Sequence, residues 1–362
     1  MKKINILTTI SLLSTTSLIV LSSQCKASDT KEKQQKVDDE TNNVSNQKDK
    51  VTHEPSVEEK LSDNDKSQSD VKDTTNKEIT NDKIKLPKGA YYSNEGNDNK
   101  YYQALEGLNG IELYNKLHQI QRANSNNIPD YNSLMNTYKD AFKDLYYEKD
   151  NSVLDIYSEN PSGKDPYTYR SFSRFGSSAR NEGQGFNREH IVVQSWFSKS
   201  SPMRNDAHHV WPTDIKVNNL RDRLIHSNVS KPSKTSQNGT KIDSNHAEVI
   251  DEFKGDVARA YFYFAATYIG TNNWLKKEGA QAFDFSEGAL KNQYFKVFKQ
   301  WSDKDKIDAF DIVRNNEIAK HQVVRNPFSD YPELIDLILD PQGKVFKNRG
   351  VLKINLDKYF EK

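Results

Sequence analysis

The feature that most constrains this chain is where its aromatic residues lie. All four Trp, 18 Tyr and 16 Phe fall after residue 85. A core large enough to fold can therefore form only from about Leu86 to Lys362, and the N-terminal quarter must do something else. The chain opens "MKKINILTTISLLSTTSLIVLSSQCKAS": two lysines, an apolar stretch from Ile4 to Leu21, then small residues. That is the order of a secretory signal peptide, assigned here to residues 1–27, with cleavage after Ala27 preferred to a retained membrane span. Residues 28–85 contain no aromatic and few aliphatic side chains, so they cannot offset their ordering entropy and read as a disordered polar spacer. Residues 86–362 are the expected catalytic domain.

Cys25 is the sole cysteine, so no internal disulfide can form. Gln24 stands where a lipoprotein signal needs a small residue, which favours a secreted protein over one anchored by lipid at Cys25. The whole chain carries +1, residues 1–27 carry +3 and residues 28–85 carry −4, which leaves the domain at +2. No global basic field exists, so a polyanion would have to be met locally.

Helical spacing of apolar residues is evident in 130–147, with Asp130 as cap, in 252–270 with Gly270 as stop, and in "ALKNQYFKVFKQW", "DKIDAFDIVRNNEIAKHQ" and "PELIDLILD". Strand signals are fewer: "SVLDIYS" (152–158), "HIVVQSWF" and "AHHVWP". The expectation is a mostly helical α+β domain with its strands gathered between residues 150 and 212.

Within that region "FNREHIVVQSWF" (186–197) sets Glu189 beside His190. Strand alternation would bury one and expose the other, and burying either needs a partner or a metal. The stretch 204–223, "RNDAHHVWPTDIKVNNLRDR", reads as a short strand, a turn at Pro212–Asp214 and a helix from about Lys216. Residues 186–223 thus make strand, loop, strand and helix, and Asn218 can face the Glu189–His190 strand. A carboxylate, an amide oxygen and an imidazole are the parts needed to place a hard cation beside a general base, a combination suited to phosphodiester hydrolysis. No zinc-protease histidine pair and no glycine-rich phosphate loop accompany them.

The motifs "LDIYSENPSG", "FNREHIVVQSWF", "DAHHVWPTDIKVNNLRDR", "FKGDVARAYFY" and "RNPFSDYPEL", in this order across about 105–335, closely resemble the endonuclease I family of secreted nucleases, part of the ββα-metal (His-Me finger) group. The resemblance implies a fold built around that finger. It implies His190 as general base, and Glu189 and Asn218 as magnesium ligands; whether manganese or calcium can substitute is left open by the sequence. It further implies sequence-independent cleavage of DNA and often RNA to 5′-phosphates. Two departures are Gln194, where relatives carry proline, and the missing disulfides.

Each residue keeps a structural alternative. His190 could be a satisfied core histidine, Glu189 an ion-pair partner of an arginine, and Asn218 a helix cap. Arg204 and Arg221 could clamp the scissile phosphate or pair with Asp206 and Asp222. Of His208 and His209, one should point to the core and one to the site; Asp206 should orient a histidine or brace the finger. Trp196, Trp211, Tyr261 and Phe264 fit core packing better than base stacking. The expectation is a monomeric, metal-dependent endonuclease meeting DNA or RNA through phosphates, with no transmembrane segment. The rival is a surface-displayed nucleic-acid-binding or adhesive protein on an inactive nuclease scaffold.

Overall fold

The computed structural model describes residues 85–269, 277–284 and 289–361. The expected signal peptide, all of the spacer but Lys85, and Gly270 lie outside them. The fold is mixed α+β, as expected, and among the described residues no helix is long and apolar enough to cross a membrane.

Strand β1 (Ala90–Ser93) and a short helix α1 (Asn97–Lys100) precede α2 (Gly110–Ser125) and α3 (Leu134–Ala141). A two-stranded ribbon, β2 (Phe186–His190) with β3 (Val210–Asp214), runs directly into α4 (Ile215–Arg221). Next come β4 (Ile225–His226), β5 (Lys234–Thr235), β6 (Lys241–Ile242) and β7 (His246–Glu248), which form one small sheet in the order β4-β7-β6-β5. The chain continues with α5 (Lys254–Tyr268), hairpin strands β8 (Phe283–Asp284) and β9 (Ala289–Leu290), α6 (Asn292–Lys304), α7 (Ala309–Gln322), α8 (Pro327–Asp330), α9 (Leu334–Leu339), β10 (Val351–Ile354) and α10 (Leu356–Phe360). β10 pairs antiparallel with β1, tying the two ends of the domain together.

Helix α5 is the axis. Every residue from Gly255 to Tyr268 is buried, the mark of a helix surrounded on all sides, here by α2, α6 and α8 among others. Its charged residues are paired: Arg259 binds Asp311 at 2.5 and 3.1 Å, and Arg314 reaches Asp256 at 2.7 Å. The "RNPFSDYPEL" motif is a structural clip. Arg325 grips Asp330 in a bidentate pair at 2.7 and 2.8 Å, and Asn326 caps α8 through the Phe328 N–H.

Several expectations are corrected. The helix expected over 130–147 begins as Asp130 foresees, with its carboxylate accepting from the Asn132 and Ser133 N–H groups, but ends at Ala141. Beyond it Lys143 bridges Val153, and the Asp144 carboxylate collects the N–H groups of Tyr146, Tyr147 and Lys149. "SVLDIYS" forms only that one bridge, because Asp155 bonds the Tyr157 N–H and folds the chain into a turn. No turn occurs at Pro212: β3 runs through it to Asp214, since each strand of a two-stranded ribbon has a free edge and a missing N–H there costs nothing. Strands are also not confined to 150–212; short-range signals did not reveal β1, β10 or the β4–β7 sheet.

Candidate active site in the ββα finger

The finger is fixed first by Asp214 at the junction of β3 and α4. Its Oδ1 caps the helix through the Val217 N–H at 2.8 Å, while Oδ2 accepts from the Tyr169 hydroxyl and the Gly183 N–H. The Asp214 N–H in turn donates to Asp155 at 2.8 Å. The cap at this helix is therefore Asp214, and Asn218 is left inside α4 with its side chain free for another task.

Asn218 and Arg221 lie three residues apart on one face of α4, and that face covers β2. Asn218 donates to Asn187 Oδ1 at 2.7 Å, and Arg221 reaches Glu189 Oε1 at 3.1 Å. Asn187 and Glu189 are two apart on the strand and so share its face. The structure thus brings Glu189 and Asn218 to one crevice. Glu189 is 1% exposed, and its Oε1 also accepts from the Tyr157 hydroxyl at 2.8 Å. Burial raises its carboxyl above the usual range, with Arg221 and then Tyr157 opposing. The His190 backbone N–H also helps hold the Glu189 carboxylate, and the Asn218 amide, which donates to Asn187, leaves its oxygen on the same side. Two oxygens, one of them anionic, fit a hard cation that keeps several waters.

His190 points the other way, toward Tyr131, whose ring stacks on it at 6.1 Å. Both neighbours are buried, contrary to simple alternation, because the ribbon is covered on both faces. The Arg204 carbonyl, 3.2 Å from His190 Nε2, can only accept, so Nε2 carries the proton and Nδ1 holds the lone pair. Burial, then His209, moves the imidazole well below its ordinary value, which keeps the ring neutral. No protein group among the described residues bonds Nδ1.

The guanidinium groups of Arg188 and Arg204 stack on the same Tyr131 ring, 4.2 and 4.0 Å from its centroid. Neither has a carboxylate partner among the described residues, and the Nε of each is buried without an acceptor. Arg221 is placed differently. It is 1% exposed, donates to the His190 and Ile191 carbonyls at 2.7 and 2.6 Å, and is held by Glu189. It pairs with Glu189 and not with Asp222, whose side chain meets Arg223 instead.

Sequence reasoning missed two members of this network, Tyr157 and His226. His226 is fully buried and stays neutral, its basicity suppressed by burial and by Arg221. Because Arg221 can only donate to Nδ1, at 3.3 Å, Nε2 carries the proton and points at the Tyr157 hydroxyl 3.2 Å away, which itself donates to Glu189. The signal for Tyr157 was present in "LDIYSENPSG", but nothing in the spacing links it to Glu189, 32 residues on.

The other singled-out residues are structural. Asp206 braces the loop between the strands: its oxygens accept from Tyr263, Tyr268 and Gln322, each at 2.6 Å. His208 meets the Val324 carbonyl at 2.9 Å and packs on Tyr263; His209 meets the Met203 carbonyl at 2.7 Å with its ring toward His190. Trp196, Trp211, Tyr261 and Phe264 are all buried in the core.

The model of the family described as Endonuclease I matches residues 109–333, more than half of the chain. The chain belongs to the endonuclease I family. Two curated relatives are similar to it: an extracellular ribonuclease of Bacillus subtilis (strain 168), 29% identical over 241 residues, covering 66% of this chain and 77% of that protein; and an extracellular ribonuclease of Bacillus amyloliquefaciens, 28% identical with the same coverage. The endonuclease I match spans α2 through Tyr331 and so encloses the whole finger, its Tyr157 support and the Arg325–Asp330 clip. The protein is a hydrolytic nuclease, and nucleic acid is its substrate.

Proposed function

We propose that this protein is a secreted, magnesium-dependent, sequence-independent endonuclease that hydrolyses DNA, RNA or both to 5′-phosphate products. The observation that carries this reading is the pairing of two sites on adjacent residues of one strand: oxygens of Glu189 and Asn218 open to a cation, and a neutral His190 whose Nδ1 is open to water.

In this reading His190 Nδ1 accepts the proton of the attacking water, while Nε2–H on the Arg204 carbonyl keeps the ring in the required tautomer. Glu189 and Asn218 hold the magnesium ion, which when bound supplies charge stabilisation to the phosphorane-like transition state and the departing 3′ oxygen. Arg221, with Tyr157 and His226 behind it, keeps Glu189 ionised and oriented. Arg188 and Arg204 are the arginines best placed for the remaining phosphate charge, being stacked, half-buried and free of carboxylates. Exposed Arg170, Arg174 and Arg180, in the loop that bridges to β2 at Phe186, give the local basic surface that a near-neutral domain needs.

The similar Bacillus proteins are named extracellular ribonucleases, which supports the reading of export and of RNA as a substrate. Purified protein should nick plasmid DNA and digest RNA with magnesium and do neither in EDTA. Calorimetry should show magnesium binding that Asn218→Ala weakens at least about tenfold. A folded protein that binds no magnesium and spares both polymers would return the surface-binding scaffold as the better account.

A further inference from the structure

A second group of oxygens lies outside the finger, where the chain turns through residues 144–165. One carboxylate oxygen from each of Asp144, Glu148 and Glu159 falls within 4.8 Å of the others. Asp165 adjoins them: its N–H donates to Glu148 Oε1 at 3.2 Å, and its own carboxylate accepts the Asn160 N–H at 2.7 Å. None of the four carboxylates forms an ion pair among the described residues.

Glu159 is the member that needs explaining. It is 1% exposed, yet its Oε1 is buried with no hydrogen-bond partner. A buried, unpartnered carboxylate oxygen aimed at two further carboxylates is unfavourable unless something positive sits between them. Burial, then the neighbouring acids Asp165, Glu148 and Asp144, push its carboxyl up to about 10. The charge supplied is either a proton shared between Glu148 and Glu159 or a metal ion.

We infer that Asp144, Glu148 and Glu159 form a calcium site that is separate from the catalytic metal site. The donor set is all oxygen, with neither imidazole nor thiolate, which selects a hard cation. Oxygens around one calcium ion lie at most about 5 Å apart, as these do. Three carboxylates exceed what magnesium usually takes from a protein, and calcium accepts irregular geometry. Asp144 is already oriented by three backbone N–H groups, and Glu148 by the Asp165 N–H, so most of the ordering is done before the ion arrives. The site would close the turn that carries Tyr157, two residues before Glu159.

The test is calcium titration of EDTA-stripped protein, followed by calorimetry and melting temperature, in an Asn218→Ala background that weakens the catalytic metal site without breaking the buried Glu189–Arg221 pair. The inference expects one calcium to bind and to raise the melting temperature. Glu148→Gln, at an exposed position where folding is not at issue, and Glu159→Gln should each weaken binding at least about tenfold. Calcium binding that disappears in folded Asn218→Ala protein, or that survives both substitutions unchanged, would overturn it. So would a protein that melts at the same temperature with and without calcium, which would leave the shared proton as the explanation. Magnesium-dependent cleavage is read separately, so either conclusion can fail without the other.

Discussion

At the scale of single residues, the account turns on which atom of each side chain is free. His190 offers Nδ1 because Nε2 is committed to a carbonyl, and its basicity is lowered by burial. A group with a depressed pKa stays unprotonated until the pH falls through that lower value. The acid limb of kcat/KM should therefore lie below the ordinary imidazole value of 6.5; a limb above it would mean that the ring in the working enzyme is more exposed or faces an anion. Tyr157→Phe removes only the hydroxyl between His226 and Glu189. It should weaken magnesium binding by about 10- to 100-fold while leaving the fold intact, as calorimetry and circular dichroism would report. The two arginines named from sequence should separate. Arg221→Ala leaves Glu189 buried without its cation and should cost about 3–5 kcal/mol in urea unfolding. Arg204→Ala should leave stability nearly unchanged and act on substrate binding.

At the scale of elements, the finger's order of strand, strand and helix was legible in 186–223 from the Glu–His pair, the run ending in "HVWP" and the polar stretch that opens α4, but not its bounds: the strand expected over 190–197 ends at His190 and gives way to a 3₁₀ turn at Gln194–Phe197. The helix α5 was likewise legible from local signals. What was not legible came from contacts distant in sequence. The end of α3 depends on Asp144 and a bridge to Val153, and the failure of 152–158 to form a strand depends on Asp155 bonding both its own turn and Asp214. Helix α2, with Leu113, Leu117 and Gln121 buried at four-residue spacing, carried a readable pattern that went unread. Of the candidate site, the motif singled out His190, Glu189 and Asn218, whereas the different surroundings of Arg188, Arg204 and Arg221 could not be read, since arginine chemistry is the same until burial is known. The cap that starts α4 is testable here. Asp214→Ala should lose more than the about 1–2 kcal/mol of a cap alone, because the Tyr169 hydroxyl and the Gly183 N–H also lose their acceptor, with a loss of cleavage larger than stability alone explains, because the helix carries both Asn218 and Arg221.

At the scale of the molecule, the aromatic-free N-terminal quarter and the aromatic-rich remainder divide the work. The domain carries a charge of only +2, so in the proposed reading nucleic acid is attracted by the local set Arg170, Arg174, Arg180, Arg188 and Arg204. Binding should weaken steeply with salt and vary little with base sequence. Arg174→Ala should lower affinity about equally for all sequences and reduce the salt slope by about one.

The central claim is that one imidazole on β2 is the base for phosphodiester hydrolysis. It is tested most directly by single-turnover cleavage of a plasmid in magnesium by the wild-type protein and by His190→Ala, with melting temperature and magnesium binding measured alongside. The account predicts a rate lower by about 10²- to 10⁴-fold with folding and metal binding retained. A variant that is folded, binds magnesium and cuts at near the wild-type rate would contradict it and move the base elsewhere in the site.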